Sequence, residues 1–190
     1  MSARELTAQF QPDPNSSKSL IRQGYIHLLG DYMRIEGKSL MFNNDARPKA
    51  KFTMWLHLHG RMRIANKLLQ WGMDVNPICS LCQSHNETRK HLFVVCEYTR
   101  NVWKKVLHWL GRSALAAGYL HWAVHAGRGK SQQAKIFRLI FAEVVHAVWI
   151  ERNARIFEDR RRHWQLIAKE TAYVSCVRAP PGIRILAYKF

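Results

Sequence analysis

Apolar residues recur at helical spacing along most of this chain, and no stretch shows the convincing alternation that a strand needs. Leu20, Ile21, Tyr25, Leu28, Leu29 and Tyr32 predict a helix over 18–36, followed by a loop from Gly37 to Pro48. Lys49 to Trp71 reads as a helix broken at Gly60, with Phe52, Trp55, Leu56 and His59 on one face before the break and Ile64, Leu68 and Leu69 after it. Val102, Trp103, Val106, Leu107 and Leu110 form an amphipathic set ended by Gly111. Residues 112–130, with Gly118, Gly127 and Gly129, read as a loop with short helical pieces. Ser131 is placed to cap a long helix reaching about Glu158. Twelve of the fifteen residues from Ile136 to Ile150 are apolar, so this helix should be central and buried. A last helix spans His163 to Val177 and stops at Ala179-Pro180-Pro181-Gly182.

The pattern predicts an all-α protein: a small helical domain organised around a metal-binding loop, with a long buried C-terminal helix. The expected layout is a tail at 1–16, a helix and loop at 17–44, a metal-binding domain at 45–111, a loop at 112–130, a helical region at 131–178 packed on that domain, and a tail at 179–190.

Charge sharpens the picture. The chain has 190 residues with 30 Lys and Arg against 13 Asp and Glu, a formal net charge of +17. An excess of that size points to a polyanionic partner, most commonly RNA or DNA. The first fifteen residues hold no apolar run of signal-peptide length, and the most apolar window carries Arg138, Glu143 and His146. The expectation is an intracellular protein of the nucleus or cytoplasm, neither secreted nor membrane-spanning, with reduced thiols. Arg160-Arg161-Arg162 is too short to serve as an import signal by itself.

Three of the four cysteines fall in the spacing Cys79-x2-Cys82-x8-His91-x4-Cys96. A Cys-x2-Cys pair turns two thiolates into one site, a recurring half of tetrahedral zinc centres. The second half has a geometric difficulty, because residues five apart on a continuous α-helix point about 140° apart. The chain must bend, or a helix must begin, between His91 and Cys96. Four protein ligands leave no open position, so the zinc would be structural, one ion per chain. The rivals are a redox pair, which lacks its strand-to-helix setting, an iron–sulfur cluster and unliganded buried thiols. His85 is an alternative to His91, and Cys176 reads as an inert thiol on a helix.

These residues stand in a recognisable order. Pro48-Lys49-x-Lys51-Phe52-x-x-Trp55, Leu68, Trp71-Gly72, Cys79-x2-Cys82, Glu87-Thr88, His91-Leu92-Phe93, Cys96 and Trp103 together resemble the zinc-binding domain of plant LINE-type (non-LTR) retrotransposon reverse transcriptases. Trp149-Ile150-Glu151-Arg152-Asn153-x-Arg155-x-Phe157 resembles the segment that follows it there, so the likeness covers roughly residues 45–160. Glu97 departs from it, standing where many relatives have proline. The resemblance implies zinc on Cys79, Cys82, His91 and Cys96 and an accessory role on nucleic acid beside a polymerase polypeptide. Phe52, Trp55, Leu92, Phe93 and Trp103 are expected to form the core around the metal loop, with Glu87-Thr88 as turn or outer hydrogen-bonding residues.

No polymerase is expected here. The chain has no Tyr-x-Asp-Asp motif and no adjacent aspartate pair, and two-metal nucleotidyl transfer needs clustered carboxylates. Gly127-Arg128-Gly129-Lys130-Ser131 ends like a phosphate loop but has Val124 where its first glycine belongs. Glu143 and His146, three apart, read as a polar stripe or a satisfied core histidine. The cations suited to phosphate, taken collectively, are Lys49, Lys51, Arg61, Arg63, Lys67, Arg89, Lys90, Lys104, Lys105, Arg152 and Arg155. The sequence therefore predicts a non-catalytic, zinc-held module that binds nucleic acid without sequence preference and takes no small-molecule substrate. Its alternative is a zinc-organised scaffold for protein partners.

Overall fold

The computed structural model describes residues 37–111 and 119–181, with a few isolated positions before Gly37. The predicted helix at 18–36 and the two tails lie almost wholly outside the described residues. The chain divides into two compact units, Met1–Arg34 and Ile35–Phe190. In the first, the Gln23 side chain accepts from the Asp13 N–H at 2.8 Å. All named elements belong to the second.

Those elements are α1 (Lys38–Met41), α2 (Pro48–Leu58), α3 (Ala65–Gln70), a π-helical turn (His91–Val95), α4 (Glu97–Trp109), α5 (Tyr119–Ala126), α6 (Gln132–Phe157) and α7 (Trp164–Arg178). Among the described residues there is no strand, only one antiparallel bridge between Ile78 and Asn86. The all-α expectation holds. No helix is long and apolar enough to cross a membrane among the described residues.

α6 is the axis. Ser131 caps it, its hydroxyl accepting from the Ala134 N–H at 3.2 Å. From Ile136 to His146 every residue is buried. A helix apolar on all sides belongs inside a core, and here α2 and α7 pack against it. α4 is amphipathic by contrast: Val102, Trp103, Val106 and Leu107 are buried while Lys104 and Lys105 face water. It packs on α7, and Trp103 meets Phe141 of α6 with ring centroids 5.5 Å apart.

Two polar groups on the buried face of α6 have partners in the core. Glu143 accepts from the Arg47 guanidinium at 2.7 Å, and His146 Nδ1 pairs with the Thr53 hydroxyl at 2.9 Å. The Glu143–His146 stripe is core polarity with partners, as expected.

Tyr119–Ala126 is a short helical piece within the loop region 112–130. Packing holds it: Ala123 is buried, and Trp122 sets its ring edge-on to Phe137 at 5.2 Å. Gly127 then brings the chain close to α1, where a Cβ would lie 2.6 Å from the Leu40 Cδ2. One expectation fails: Phe52 is 60% exposed rather than in the core. α2 buries Ala50, Thr53, Met54, His57 and Leu58, so its core stripe runs along a different face.

Candidate metal centre

Each half of the site is made by a local backbone device. In the first, the bridge at Ile78 and Asn86 pins the ends of a loop, the Glu87 N–H donates to the Pro77 carbonyl at 2.7 Å, and the Cys79 N–H donates to the His85 carbonyl at 2.8 Å. Gln83, in the left-handed region at φ 56°, turns the chain while its N–H returns to the Cys79 carbonyl at 2.8 Å. Cys79 and Cys82 thereby face one point.

The second half resolves the 140° difficulty. His91–Val95 is a π-helical turn, and the Cys96 N–H donates to the His91 carbonyl, five residues back, at 2.8 Å. Five-residue hydrogen bonding stacks His91 and Cys96 on one side, as an α-helix would not. Thr88 starts the turn, its hydroxyl accepting from the His91 N–H at 3.0 Å. Widening the turn displaces carbonyls from the usual ladder, and side chains of α4 take them up. The Thr99 hydroxyl donates to the Leu92 carbonyl at 2.8 Å, and the Trp103 indole donates to the Phe93 carbonyl at 3.0 Å. Cys96 closes the turn and begins α4.

The two halves meet. One ligand atom from each of Cys79, Cys82, His91 and Cys96 lies within 4.8 Å of the others. The Cys79 and Cys96 Sγ atoms are 4.0 Å apart, and Cys82 Sγ is 3.2 Å from His91 Nε2. Two thiolates on a tetrahedral zinc stand about 3.8 Å apart, given Zn–S bonds of about 2.3 Å. The donor set therefore fits one structural zinc ion, fully enclosed by protein ligands. The Cys96 thiol is shifted below its ordinary pKa, first by a hydrogen bond from the Cys79 thiol and then, against burial, by the N–H groups of Thr99 and Tyr98 at the start of α4. Cys79 is pushed up in exchange, because sharing that proton and burial both favour its thiol. His85 gives its carbonyl rather than its ring, and stands 5.4 Å from the His91 ring, centroid to centroid. Cys176 lies apart on α7, its thiol raised by burial.

Residues 20–103 match the family described as zinc-binding in reverse transcriptase. The match takes in all four ligands. No curated protein and no solved structure matches the chain.

The surroundings correct the list of phosphate-facing cations. Arg152 is buried, with Nη2 2.6 Å and Nε 3.1 Å from the Glu87 carboxylate. Glu87 also accepts from the Ala65 N–H at 2.8 Å, so this carboxylate joins α3, the metal loop and α6. Arg155 pairs with Glu151 at 2.8 Å and donates to the carbonyls of Ser80 and Leu81 at 3.2 and 2.8 Å. It tethers the Cys-x2-Cys turn to α6. Arg162 binds the other oxygen of Glu151 at 3.0 Å. Burial pushes the Glu151 carboxyl up, but the Arg162 N–H and both guanidiniums outweigh it and hold the group below its ordinary value.

Arg152 and Arg155 thus hold the metal loop in place, their guanidiniums engaged by carboxylates and carbonyls. Sequence reasoning missed this role, although the Glu151–Arg155 run and the Glu87-Thr88 pair both sat within the resemblance. Of the other nine cations, Lys49, Arg61, Arg63, Arg89, Lys90, Lys104 and Lys105 are exposed, and Lys51 and Lys67 half-exposed. None of the nine takes part in the ion pairs of the described residues, which use Arg47, Arg152, Arg155, Arg160, Arg161 and Arg162.

Proposed function

We propose that this chain is a non-catalytic, zinc-held module that grips RNA or DNA through phosphate, of the kind that accompanies a LINE-type reverse transcriptase. The observation that carries this reading is the division of labour among its cations. Arginines that pair with acids hold the metal loop, while nine other Lys and Arg residues stand outside the ion pairs of the described residues. Zinc in a closed ligand set stabilises that loop and activates nothing. Buried Glu87, Glu143 and Glu151 are each engaged by arginine, which leaves them unsuited to hold catalytic cations.

The test is a binding titration of zinc-loaded protein against single-stranded RNA, single-stranded DNA and duplex over a range of salt. The expected result is binding that weakens linearly in log–log form as salt rises. Absence of binding to all three at low salt would overturn the proposal.

A second reading, a zinc-organised scaffold for a protein partner such as the polymerase polypeptide, draws on an apolar cleft of about 610 Å³ beside the metal loop, lined in part by Met73, Ile78, Ile156 and Phe157. Retention by a partner without any nucleic-acid affinity would favour it.

A further inference from the structure

The outer edge of α2 carries a pile of rings. Phe52, Trp55 and His59 are spaced three and four apart, which aligns them on one edge of a helix. Phe52 and Trp55 are near-parallel, 14° between planes and 6.0 Å between centroids. Trp55 and His59 follow at 4.5 Å, and the Arg61 guanidinium covers Trp55 at 5.1 Å. The His59 ring is itself fixed by a 2.8 Å hydrogen bond between Nδ1 and the Trp55 carbonyl. The inner members are covered by one another. Phe52, the outermost, is 60% exposed, although the core of the protein lies on the opposite side of the same helix.

Charge separates this aromatic from the other exposed ones. Phe42 lies three residues from Asp45, Phe157 is followed by Glu158 and Asp159, Trp71 lies three residues from Asp74, and Tyr173 three from Glu170. Carboxylates so near in sequence repel phosphate. Between Asp45 and Asp74 the chain has six Lys and Arg and no acid, and Phe52 lies within that stretch, seven residues from the nearer of the two aspartates. Arg47 is taken by Glu143, which leaves Lys49, Lys51, Arg61, Arg63 and Lys67.

We infer that the ring pile is a base-stacking platform for single-stranded nucleic acid: an unpaired base lies on the open face of Phe52, and Lys51 and Arg61 contact the flanking phosphates. This rests on the nucleic-acid reading above and assigns it a site and a strand form. Every base has a π-face, so the platform is indifferent to sequence, as sequence-independent single-strand binders are. A duplex has both faces of its bases already stacked and offers Phe52 nothing.

The experiment uses the full zinc-loaded chain with four probes of equal length: oligo-rU, oligo-dT, an abasic deoxyribose-phosphate strand and a DNA duplex. Phe52→Ala, Phe52→Leu and Phe52→Trp are compared with the unaltered protein, and zinc content and circular dichroism verify folding. Phe52→Ala and Phe52→Leu should weaken oligo-rU and oligo-dT binding by about fivefold or more, the loss of one stacked base. Phe52→Trp should retain it, and the abasic and duplex affinities should not move. The larger effect of the two oligonucleotides tells RNA from DNA. If Phe52→Ala binds oligo-rU and oligo-dT as the unaltered protein does, the platform is refuted while the electrostatic reading stands. An equal loss on the abasic strand also refutes it, since Phe52 would then act without a base. If the unaltered protein binds none of the probes, the nucleic-acid reading falls and the platform with it.

Discussion

Glu87 is a single carboxylate on which three elements depend. It is almost fully buried, accepts from the Ala65 N–H and is clasped by Arg152. Removing one partner of a buried pair leaves the other charge without compensation, at a cost of about 3–5 kcal/mol. Glu87→Gln should lower the unfolding free energy by that amount in urea denaturation. Arg160→Ala, at an exposed pair with Glu158, should change it by less than about 1 kcal/mol. A second residue makes stability depend on pH. Burial, helped by the Arg89 charge, lowers the His57 pKa from 6.5 to about 3. Between those values the unfolded chain binds a proton that the folded chain refuses. Stability is therefore full above 6.5 and falls as pH drops, by about 1.4 kcal/mol per unit for one proton. His57→Leu should flatten the pH dependence between 6.5 and 5 by about one proton, measured as the slope of unfolding free energy against pH. These side chains also mark where sequence reading stops. Arg152 looks like any other cation in a basic chain, and its partner lies 65 positions away. Phe52 looks like core because residue type reports apolarity but not which helix face meets the core.

At the scale of elements the metal loop was legible in its ligands and opaque in its backbone. Cys79, Cys82, His91 and Cys96 stand out because thiols and an imidazole at that spacing have few other uses. The spacing also demanded a bend after His91, but not its form. The π-helical turn depends on Thr99 and Trp103 reaching back from α4 to Leu92 and Phe93, a tertiary condition on a local shape. The turn and the loop are thus two halves that zinc joins, and losing one ligand should undo the junction. Cys82→Ser should release the ion and destabilise the fold, while Cys176→Ser, on α7, should keep about one zinc per chain. Mass spectrometry of intact protein under native conditions measures both. Equal zinc content in the two variants would place the ion elsewhere.

The whole molecule combines an apolar axis, α6, with 30 Lys and Arg that its 13 acids only partly neutralise, leaving a net charge of +17. Cations outside the ion pairs lie on α2 and after it, at Lys49, Lys51, Arg61 and Arg63, and on α4, at Arg100, Lys104 and Lys105. If strand binding were a general response to charge, each set would contribute in proportion to its size. A stacking platform on α2 predicts inequality, because a base held on Phe52 fixes the adjoining phosphates beside Lys51 and Arg61 and leaves α4 with looser contacts. Each phosphate contact on a single strand adds about 0.7 to the slope of log affinity against log salt. Lys49→Gln/Lys51→Gln/Arg61→Gln should therefore reduce the slope for oligo-rU by up to about 2. Arg100→Gln/Lys104→Gln/Lys105→Gln, which removes the same charge from α4, should reduce it by less than about 1. Equal reductions would mean that the strand samples the whole basic surface, with charge alone holding it.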